Sequence, residues 1–480
     1  MSNIDFNNKL NKALYIRLSV RFLQQFFVLI LSVILARLLS PREFGVVAIV
    51  NLVVFYANGI TDLGFTNALV QKKQIDHDQI NSVFTVDIAL SALMIVFFWI
   101  GSPYIAEFFG TPEVKNALKA MSFYFLIVSL RRVPDAILRR NIDFTFVSFM
   151  SLGELIFTYF LSILLAIKGF SYWSIIYSTL FNSSVVSLVI YLKASAKPRL
   201  GYSHSKMIPI YNFGAWNFLK SQFDLVVNKI DYFMIGKFLG PSVLGIYEKS
   251  FELSEKSYKS FSMPVGTVFF SAFSRKKDNI DELKEIFLKS THILSIIVFP
   301  VLLGLYSVSE YFVLSCLGSE WEAAIYPIKI LCISFIFKSM SGLFSNLNIS
   351  VGHYKVNAIL AGFNSLIFVI LCFYLAKFGI IYVSFAVLVH SLLLFIFLYL
   401  ISISYLKLKF LMYVKSILVS MISSLLMLVV LKSVTYIYFD NFYSIINLLS
   451  LISIGAFSYL LPLGVFYKLG KVDILLNLRS

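Results

Sequence analysis

Long apolar stretches alternate with short polar connections along almost the whole chain. Many of these stretches reach the ~18–20 residues that a helix needs to cross the hydrocarbon core of a bilayer. Hydrophobic residues run continuously within each stretch instead of alternating, which is typical of helices and excludes a membrane β-barrel. The pattern predicts an all-α membrane protein with about fourteen transmembrane helices, at roughly 14–39, 42–70, 79–108, 113–138, 144–167, 170–192, 208–238, 241–273, 283–317, 322–350, 354–376, 379–403, 409–432 and 442–467.

The longest polar connections suggest how these helices are grouped. One of them, 194–206, separates two sets of six spans, and two further spans follow the second set. The predicted domains are an N-terminal six-helix bundle at 1–193, a cytoplasmic linker at 194–206, a C-terminal six-helix bundle at 207–403, and two additional transmembrane helices with a cytoplasmic tail at 404–480.

The first connection of each bundle carries a similar sequence. The matching pairs are Arg37 and Lys237, Leu39 and Leu239, Pro41 and Pro241, and Gly45 and Gly245. Proline suits the first turn of a helix and glycine permits close approach of a neighbour. Pro-x-x-x-Gly is also common between unrelated membrane helices, but the constant offset and matching flanks favour an internal duplication.

Charge gives the orientation of the chain. The net charge is +16, and 59% of the 480 residues are hydrophobic. Basic residues concentrate in alternate connections, for example at Lys72, Arg139 and Arg275. Excess Lys and Arg marks cytoplasmic loops, so the charge does not require a nucleic-acid partner. The bias predicts that both termini are cytoplasmic and that the two bundles are parallel repeats about an axis along the membrane normal.

Ionisable residues occur inside the first six spans. A charge at the centre of a span costs ~2.5–3.5 kcal/mol, so such residues normally face a bundle interior or a watery cavity. They are Arg17, Arg21, Asp62, Asp87, Arg131, Arg132 and Glu154. Arginine grips phosphate well because its planar fork donates two parallel hydrogen bonds. The alternative is a set of ion pairs that ties the helices together.

The second bundle carries its own polar face. Lys220, Asp224 and Asp231 share one face of the seventh span. The eighth span opens with charged residues that include Glu248 and Glu252, with favourable i, i+4 pairs Glu252–Lys256 and Glu255–Lys259. Either this segment lines a water-filled lumen or its first half protrudes from the bilayer. Lys338 and His292 are further candidates, although a lone His in a span is as often structural as functional.

Several chemistries lack their sequence signatures. Gly470-Lys471 lacks the rest of a Walker A motif, which argues against a built-in ATPase. No His, Cys or acidic cluster has metal-site spacing, and no Ser/His/Asp set can be identified. The short external connections argue against a membrane-embedded glycan polymerase. The sequence therefore carries no signature of an enzyme or of a cofactor, and we expect neither.

Several motifs together resemble a known family, the bacterial polysaccharide transporters. These are the Wzx-type oligosaccharide flippases of the MOP superfamily, and the chain is most similar to the colanic acid and teichuronic acid exporters. The segment at 254–257 departs from the family pattern, which is more apolar there. The motifs are Asn228-x-x-Asp231-x-x-x-Ile235-Gly236-Lys237-x-Leu239-Gly240-x-x-x-Leu244-Gly245, Leu38-Leu39-x-Pro41-x-x-Phe44-Gly45, Asp62-x-Gly64, Pro134-x-Ala136-x-Leu138-Arg139-Arg140 and Phe269-x-x-x-Phe273-Ser274-Arg275.

The resemblance implies two six-helix bundles around a central cavity that opens alternately to the two sides of the bacterial inner membrane. The implied cargo is an undecaprenyl-pyrophosphate-linked oligosaccharide for surface polysaccharide biosynthesis, and the implied partners are membrane lipid, glycosyltransferases and a polymerase. In this interpretation the cationic lumen binds substrate through Arg17, Arg21, Arg131, Arg132, Lys220 and Lys338. The lumen acids that pair with them or carry a coupling H⁺ or Na⁺ are Asp62, Asp87, Glu154, Asp224, Asp231, Glu248 and Glu252. The alternative is a multidrug or cation antiporter of the same superfamily.

Overall fold

A computed structural model of the chain describes residues 3–61, 65–71, 75–140, 144–194, 197–438 and 443–468. Within these residues, side chains are described except at 3–18, 21–22, 67–68, 71, 144–145 and 209–228. The described residues form fourteen α-helices and no strands. The helices are α1 Asn3–Leu38, α2 Pro41–Thr61, α3 Phe65–Gln71, α4 His77–Phe108, α5 Glu113–Arg140, α6 Phe144–Ile167, α7 Trp173–Lys193, α8 His204–Lys276, α9 Ile280–Phe312, α10 Ile325–Ser350, α11 Tyr354–Leu375, α12 Ile380–Leu406, α13 Phe410–Tyr438 and α14 Ile445–Lys468.

The predicted all-helical membrane fold is confirmed. Ten helical segments in the described part of the chain are long and apolar enough to cross a bilayer. Large hydrophobic side chains cover the outside of these segments, for example Ile100 on α4 and Ile359 on α11. Such exposure would be unfavourable in water but suits contact with lipid. The protein is therefore a multi-pass membrane protein.

Most predicted spans coincide with single helices. The span predicted at 42–70 includes α2 and α3, and residues 62–64 between them lie outside the described residues. The spans predicted at 208–238 and 241–273 are the two helices that meet at Gly240, whose non-helical backbone divides α8.

The chain divides into two compact units, Met1–Gly245 and Ile246–Ser480. In the first unit α5 packs against α4, α7 and α2, and α1 packs against α6. In the second unit α10 packs against α12 and α9. The bundle and linker boundaries inferred from the sequence stay a prediction.

Both Pro–Gly connections begin a helix as expected. Ser40 and Glu43 form a capping box, in which the Glu43 carboxylate accepts from the Ser40 backbone N–H (2.7 Å) and hydroxyl (2.9 Å). In the second copy Gly240 has φ 82°, a left-handed conformation that glycine adopts without steric cost and that separates the two halves of α8.

Within the first unit the two connections touch each other. A Cβ added to Gly45 would lie 1.7 Å from the Pro241 carbonyl oxygen, and a Cβ added to Gly245 would lie 2.0 Å from the Pro41 carbonyl oxygen. The contact is reciprocal, as it would be around a local two-fold axis. It also explains why glycine occurs at both equivalent positions.

The polar segment that follows α7 lies along the start of α4. The Arg199 backbone N–H donates to Asn81 Oδ1 (2.8 Å), and the Gly201 N–H donates to Thr85 Oγ1 (2.9 Å). Lys206 pairs with Asp76 at 2.6 Å. This connection is therefore fixed to the first unit.

The last two helices pack on the second unit through α9. His292 contacts the Ser416 carbonyl through Nδ1 (2.9 Å) and the Tyr467 hydroxyl through Nε2 (3.1 Å). The Tyr459 hydroxyl donates to the Ile296 carbonyl (2.8 Å). These contacts place His292 in a joint between α9, α13 and α14, the structural role that its sequence context left open.

Candidate functional site

In the first unit α5 carries two adjacent arginines into a bundle of otherwise apolar helices. Arg132 Nη1 lies 2.6 Å from Asp87 Oδ1 on α4. Its Nη2 donates to Asn58 Oδ1 (3.0 Å) and Thr61 Oγ1 (3.1 Å) on α2. The Arg132 and Asp87 side chains are only 15% and 8% exposed. One guanidinium therefore joins three helices in a nearly buried network.

Arg131 is directed to a different helix. Its Nη1 donates to both carboxylate oxygens of Glu154 on α6, at 2.9 and 3.0 Å. Tyr124 lies close enough to the pair to interact electrostatically with both groups. The Arg131 and Glu154 side chains are 19% and 26% exposed, so this pair is more accessible than the Arg132 pair.

Further polar contacts hold α6 in place around Glu154. Asn182 on α7 donates to Thr158 Oγ1 (2.6 Å) and to the Glu154 carbonyl. Gln24 on α1 donates to Ser151 Oγ (2.9 Å). The α6 segment around Glu154 is thus held by polar contacts from α1, α5 and α7.

Asp231 lies on α8 in the same unit and is 2% exposed. Its carboxylate accepts from the Tyr232 backbone N–H (3.0 Å), and it interacts electrostatically with Tyr56 on α2. Lys229, two residues earlier, lies over the Tyr232 ring at 3.6 Å from the centroid.

The charged start of the second half of α8 is folded into the second unit. Glu252 lies between Lys249 (2.7 Å) and Lys256, and Lys259 pairs with Glu255 at 2.8 Å. The i, i+4 pairs predicted from the sequence are confirmed. Lys249 is 4% exposed. The Lys249–Glu252 part of this face is therefore packed inside the unit, and the water-filled lumen stays a prediction.

Lys338 on α10 lies beside the same surface. Its Nζ is 5.6 Å from the centroid of the Phe335 ring, which stacks on Tyr258 of α8 at 4.8 Å. Lys338 also interacts electrostatically with His390 on α12. Glu248, another predicted lumen acid, is half-buried on α8.

The structure adds a polar pair that the sequence analysis missed. Asn364 on α11 is fully buried and donates to His390 Nδ1 (3.0 Å) and to the His390 carbonyl (3.0 Å). His390 is the one Asp, Glu, His, Lys or Arg residue within the apolar run of α12, Ile380–Leu406. An isolated histidine in such an apolar run is the sequence feature from which a buried polar pair could have been predicted.

Other predicted site residues lie outside the described residues or side chains: Arg17, Arg21, Asp62, Lys220 and Asp224. Their roles stay predictions. Among the described residues, no group of three or more His, Cys, Asp or Glu side chains could hold a metal ion. The expectation that the protein works without a cofactor, and the H⁺ or Na⁺ coupling, also stay predictions.

Comparison with known proteins identifies the family. A family model described as "Polysaccharide biosynthesis protein" matches residues 34–326, more than half of the chain. The chain belongs to this family. The resemblance drawn from the sequence motifs is therefore confirmed.

Two curated relatives and one solved structure show how far the similarity extends. The lipopolysaccharide biosynthesis protein WzxC of Escherichia coli is 23% identical over 318 residues, 65% of this chain and 64% of the relative. The teichuronic acid biosynthesis protein TuaB of Bacillus subtilis is 25% identical over 286 residues, 59% of each chain. The matched region thus spans slightly less than two thirds of these relatives. The inward closed lipid II flippase MurJ superposes with a TM-score of 0.76 over 94% of this chain and 98% of its own, at 17% identity, which shows a shared fold.

Proposed function

We propose that this member of the polysaccharide biosynthesis protein family is a flippase that moves a lipid-linked oligosaccharide across the bacterial inner membrane by alternating access. The proposed cargo is an undecaprenyl-pyrophosphate-linked repeat unit. Its hydrated glycan and pyrophosphate cannot cross a ~30 Å hydrocarbon core unaided. The names of WzxC, TuaB and MurJ, which refer to polysaccharide biosynthesis or lipid flipping, support a substrate of this class.

The observation that carries the proposal is the pair Arg131–Glu154 inside an apolar bundle. Arg131 donates to both carboxylate oxygens through one nitrogen, Nη1, and the pair is partly exposed. The other guanidinium N–H groups leave the planar fork that arginine uses to bind phosphate. Glu154 offsets the charge of Arg131 while no cargo is bound, which avoids the cost of an unpaired charge in the membrane. A phosphate would then replace the carboxylate.

Arg132 has a different role in this proposal. Its partners on α2 and α4 occupy the guanidinium, and its pair with Asp87 is nearly buried. Arg132 would hold α2, α4 and α5 in register, so that the adjacent Arg131 faces α6. The cations of the second unit, including Lys256 and Lys338, would attract the same anionic cargo at other stages.

The orientation, the partner enzymes and the energy source of the protein are further parts of the proposal. The basic connections favour cytoplasmic termini, and the cargo chemistry requires glycosyltransferases to supply the lipid-linked glycan and a polymerase to consume it. A proton or Na⁺ gradient would drive transport, with the lumen acids as candidate carriers. Transport itself needs no enzymatic step.

The first experiment identifies the lipid that accumulates when the gene is deleted. Lipids are extracted from the deletion strain and analysed by mass spectrometry. We expect one undecaprenyl-pyrophosphate oligosaccharide to accumulate and surface polysaccharide to be lost. If no such lipid accumulates and the surface polysaccharide is unchanged, the proposal is wrong, and resistance profiling would test the multidrug antiporter alternative.

Complementation of that strain then tests Arg131. We expect Arg131→Gln to reduce export by about tenfold or more at unchanged protein level, since it removes a charge-assisted contact worth ~1.5–3 kcal/mol, and Arg131→Lys to restore export partly. The matched control is Arg139→Gln on the same helix, where Arg139 is 55% exposed and pairs with Asp135. An exposed pair contributes little, so export should be nearly unchanged. Equal effects of Arg131→Gln and Arg139→Gln would contradict the assignment.

A further inference from the structure

An apolar cavity of about 490 Å³ lies in the first unit, away from the arginines of α5. It is bounded by α2, α4 and the first half of α8, with Tyr56, Met94, Phe97, Phe108 and Phe233 among its lining residues. No lining residue carries a charge. The cavity lining therefore has no charged group with which to bind a phosphate directly.

The cavity is long and lies at membrane depth. Its wall on α4 runs from Met94 to Phe109, about four helical turns or roughly 22 Å. Both α2 and α4 are apolar enough to span a bilayer, and the cavity-lining residues Phe97 and Tyr104 are exposed. The cavity thus forms a channel that can open to lipid and accommodate hydrocarbon.

A cation sits at one end of this channel. Lys237 is exposed, and its ammonium donates to the Phe108 carbonyl (2.6 Å) and lies 4.0 Å from the centroid of the Phe108 ring. Phe108 itself lines the cavity and contacts Phe233, whose ring centroid is 5.5 Å away. These contacts fix a positive charge where the apolar channel ends. Apolar length with a terminal cation is complementary to a single chain that ends in a phosphate.

We propose that this cavity binds the polyisoprenoid chain of the lipid carrier, with the carrier phosphate against Lys237. The inference rests on the proposed function and assigns a site that the carrier occupies at a different stage of transport from the Arg131 site, because one carrier phosphate cannot bind both cations at once. A polyisoprenoid phosphate is one apolar chain that ends in an anion, as the apolar lining and the adjacent Lys237 require.

Photo-crosslinking identifies the occupant directly. The full-length protein, with benzoylphenylalanine in place of Phe97, is reconstituted in nanodiscs of phosphatidylethanolamine and phosphatidylglycerol that contain undecaprenyl phosphate. The matched position is Phe181 on α7, which is similarly exposed but does not line the cavity. Adducts are identified by mass spectrometry after irradiation. We expect the ratio of isoprenoid to phospholipid adducts to be several-fold higher at position 97 than at position 181.

Two further substitutions test separately the binding of the carrier phosphate and the binding of the polyisoprenoid chain. We expect Lys237→Gln to lower the isoprenoid adduct at position 97 by about fivefold, as for one lysine near an anionic lipid surface. The control is Lys377→Gln, since Lys377 lies over the Phe373 ring in a similar way but in the second unit. Ala57→Leu narrows the channel and should lower the adduct without changing the charge. It also provides a second test if Lys237→Gln fails to fold.

The results of these experiments can contradict the binding site for the polyisoprenoid chain without contradicting the proposed function. Equal adduct ratios at positions 97 and 181, or phospholipid adducts alone at position 97, would overturn the inference. So would an isoprenoid adduct that is insensitive to both Lys237→Gln and Ala57→Leu. If the deletion strain accumulates the lipid-linked oligosaccharide while any of these results is obtained, the flippase proposal stands and only the chain site is wrong.

Discussion

Arg131 and Arg132 are neighbours in sequence, yet their guanidinium groups bind carboxylates on different helices. Successive residues on a helix are rotated by about 100°, so adjacent side chains cannot share a partner face. Arg132 meets Asp87 on α4, and Arg131 meets Glu154 on α6. The more buried pair is suited to hold helices together, and the more exposed pair is suited to exchange its carboxylate for another anion.

The buried pair gives a prediction about stability. Arg132→Leu leaves Asp87 buried without its cation, and removing one partner of a buried pair costs about 3–5 kcal/mol. We expect a correspondingly lower unfolding temperature in detergent. The double variant Arg132→Leu/Asp87→Leu removes both charges and should recover most of that loss, which a double-mutant cycle measures. Additive effects of the two single substitutions would show that the pair does not stabilise the fold.

Local spacing predicted some of these contacts and could not predict others. The Glu252–Lys256 and Glu255–Lys259 pairs follow from positions four residues apart on one helix. The partner of Arg131 depends on which face of α6 packs against α5, and this is a tertiary property. From the sequence alone, Glu154 is therefore a predicted lumen acid. Whether it pairs with Arg131 or with Arg132 cannot be predicted without the tertiary structure.

At the scale of elements, the two Pro–Gly connections show why a motif can predict a contact. Gly45 and Gly245 are each placed where any side chain would overlap the other connection. The lengths and positions of the helices can be predicted from hydropathy. An apolar segment that crosses the membrane must satisfy its backbone hydrogen bonds internally, and a helix does so.

The reciprocal glycine contact gives a second prediction about stability. In Gly45→Ala the new Cβ would overlap the Pro241 carbonyl, so the two connections must separate. Overpacking of this kind costs typically 1–3 kcal/mol, and we expect a lower unfolding temperature and reduced export. Gly153→Ala is the control, because a Cβ at that position of α6 has no neighbour within 4 Å. It should stabilise the helix by up to about 1 kcal/mol. Destabilisation by Gly153→Ala but not by Gly45→Ala would contradict the close contact.

At the scale of the whole molecule, the same contact bears on the symmetry of the repeat. Pro41 and Pro241 begin equivalent helices in the two halves of the sequence, and their connections touch. Parallel repeats would place both connections on the same side of the membrane, whereas inverted repeats would place them on opposite sides. The parallel relation of the two bundles stays a prediction, and the membrane side of the connections can be tested.

Labelling of single cysteines in intact cells tests the membrane orientation. The positive-inside bias predicts that Lys115→Cys and Lys168→Cys are outside, and that Lys197→Cys and Lys277→Cys are inside. All four lysines are exposed, so each substituted thiol is accessible from its own side. A membrane-impermeant maleimide should label the first two in intact cells and the other two only after permeabilisation. The unmodified protein controls for its native thiols, of which Cys332 and Cys372 are buried. Labelling of Lys197→Cys or Lys277→Cys in intact cells would reverse the orientation and place the Pro–Gly contact on the cytoplasmic side.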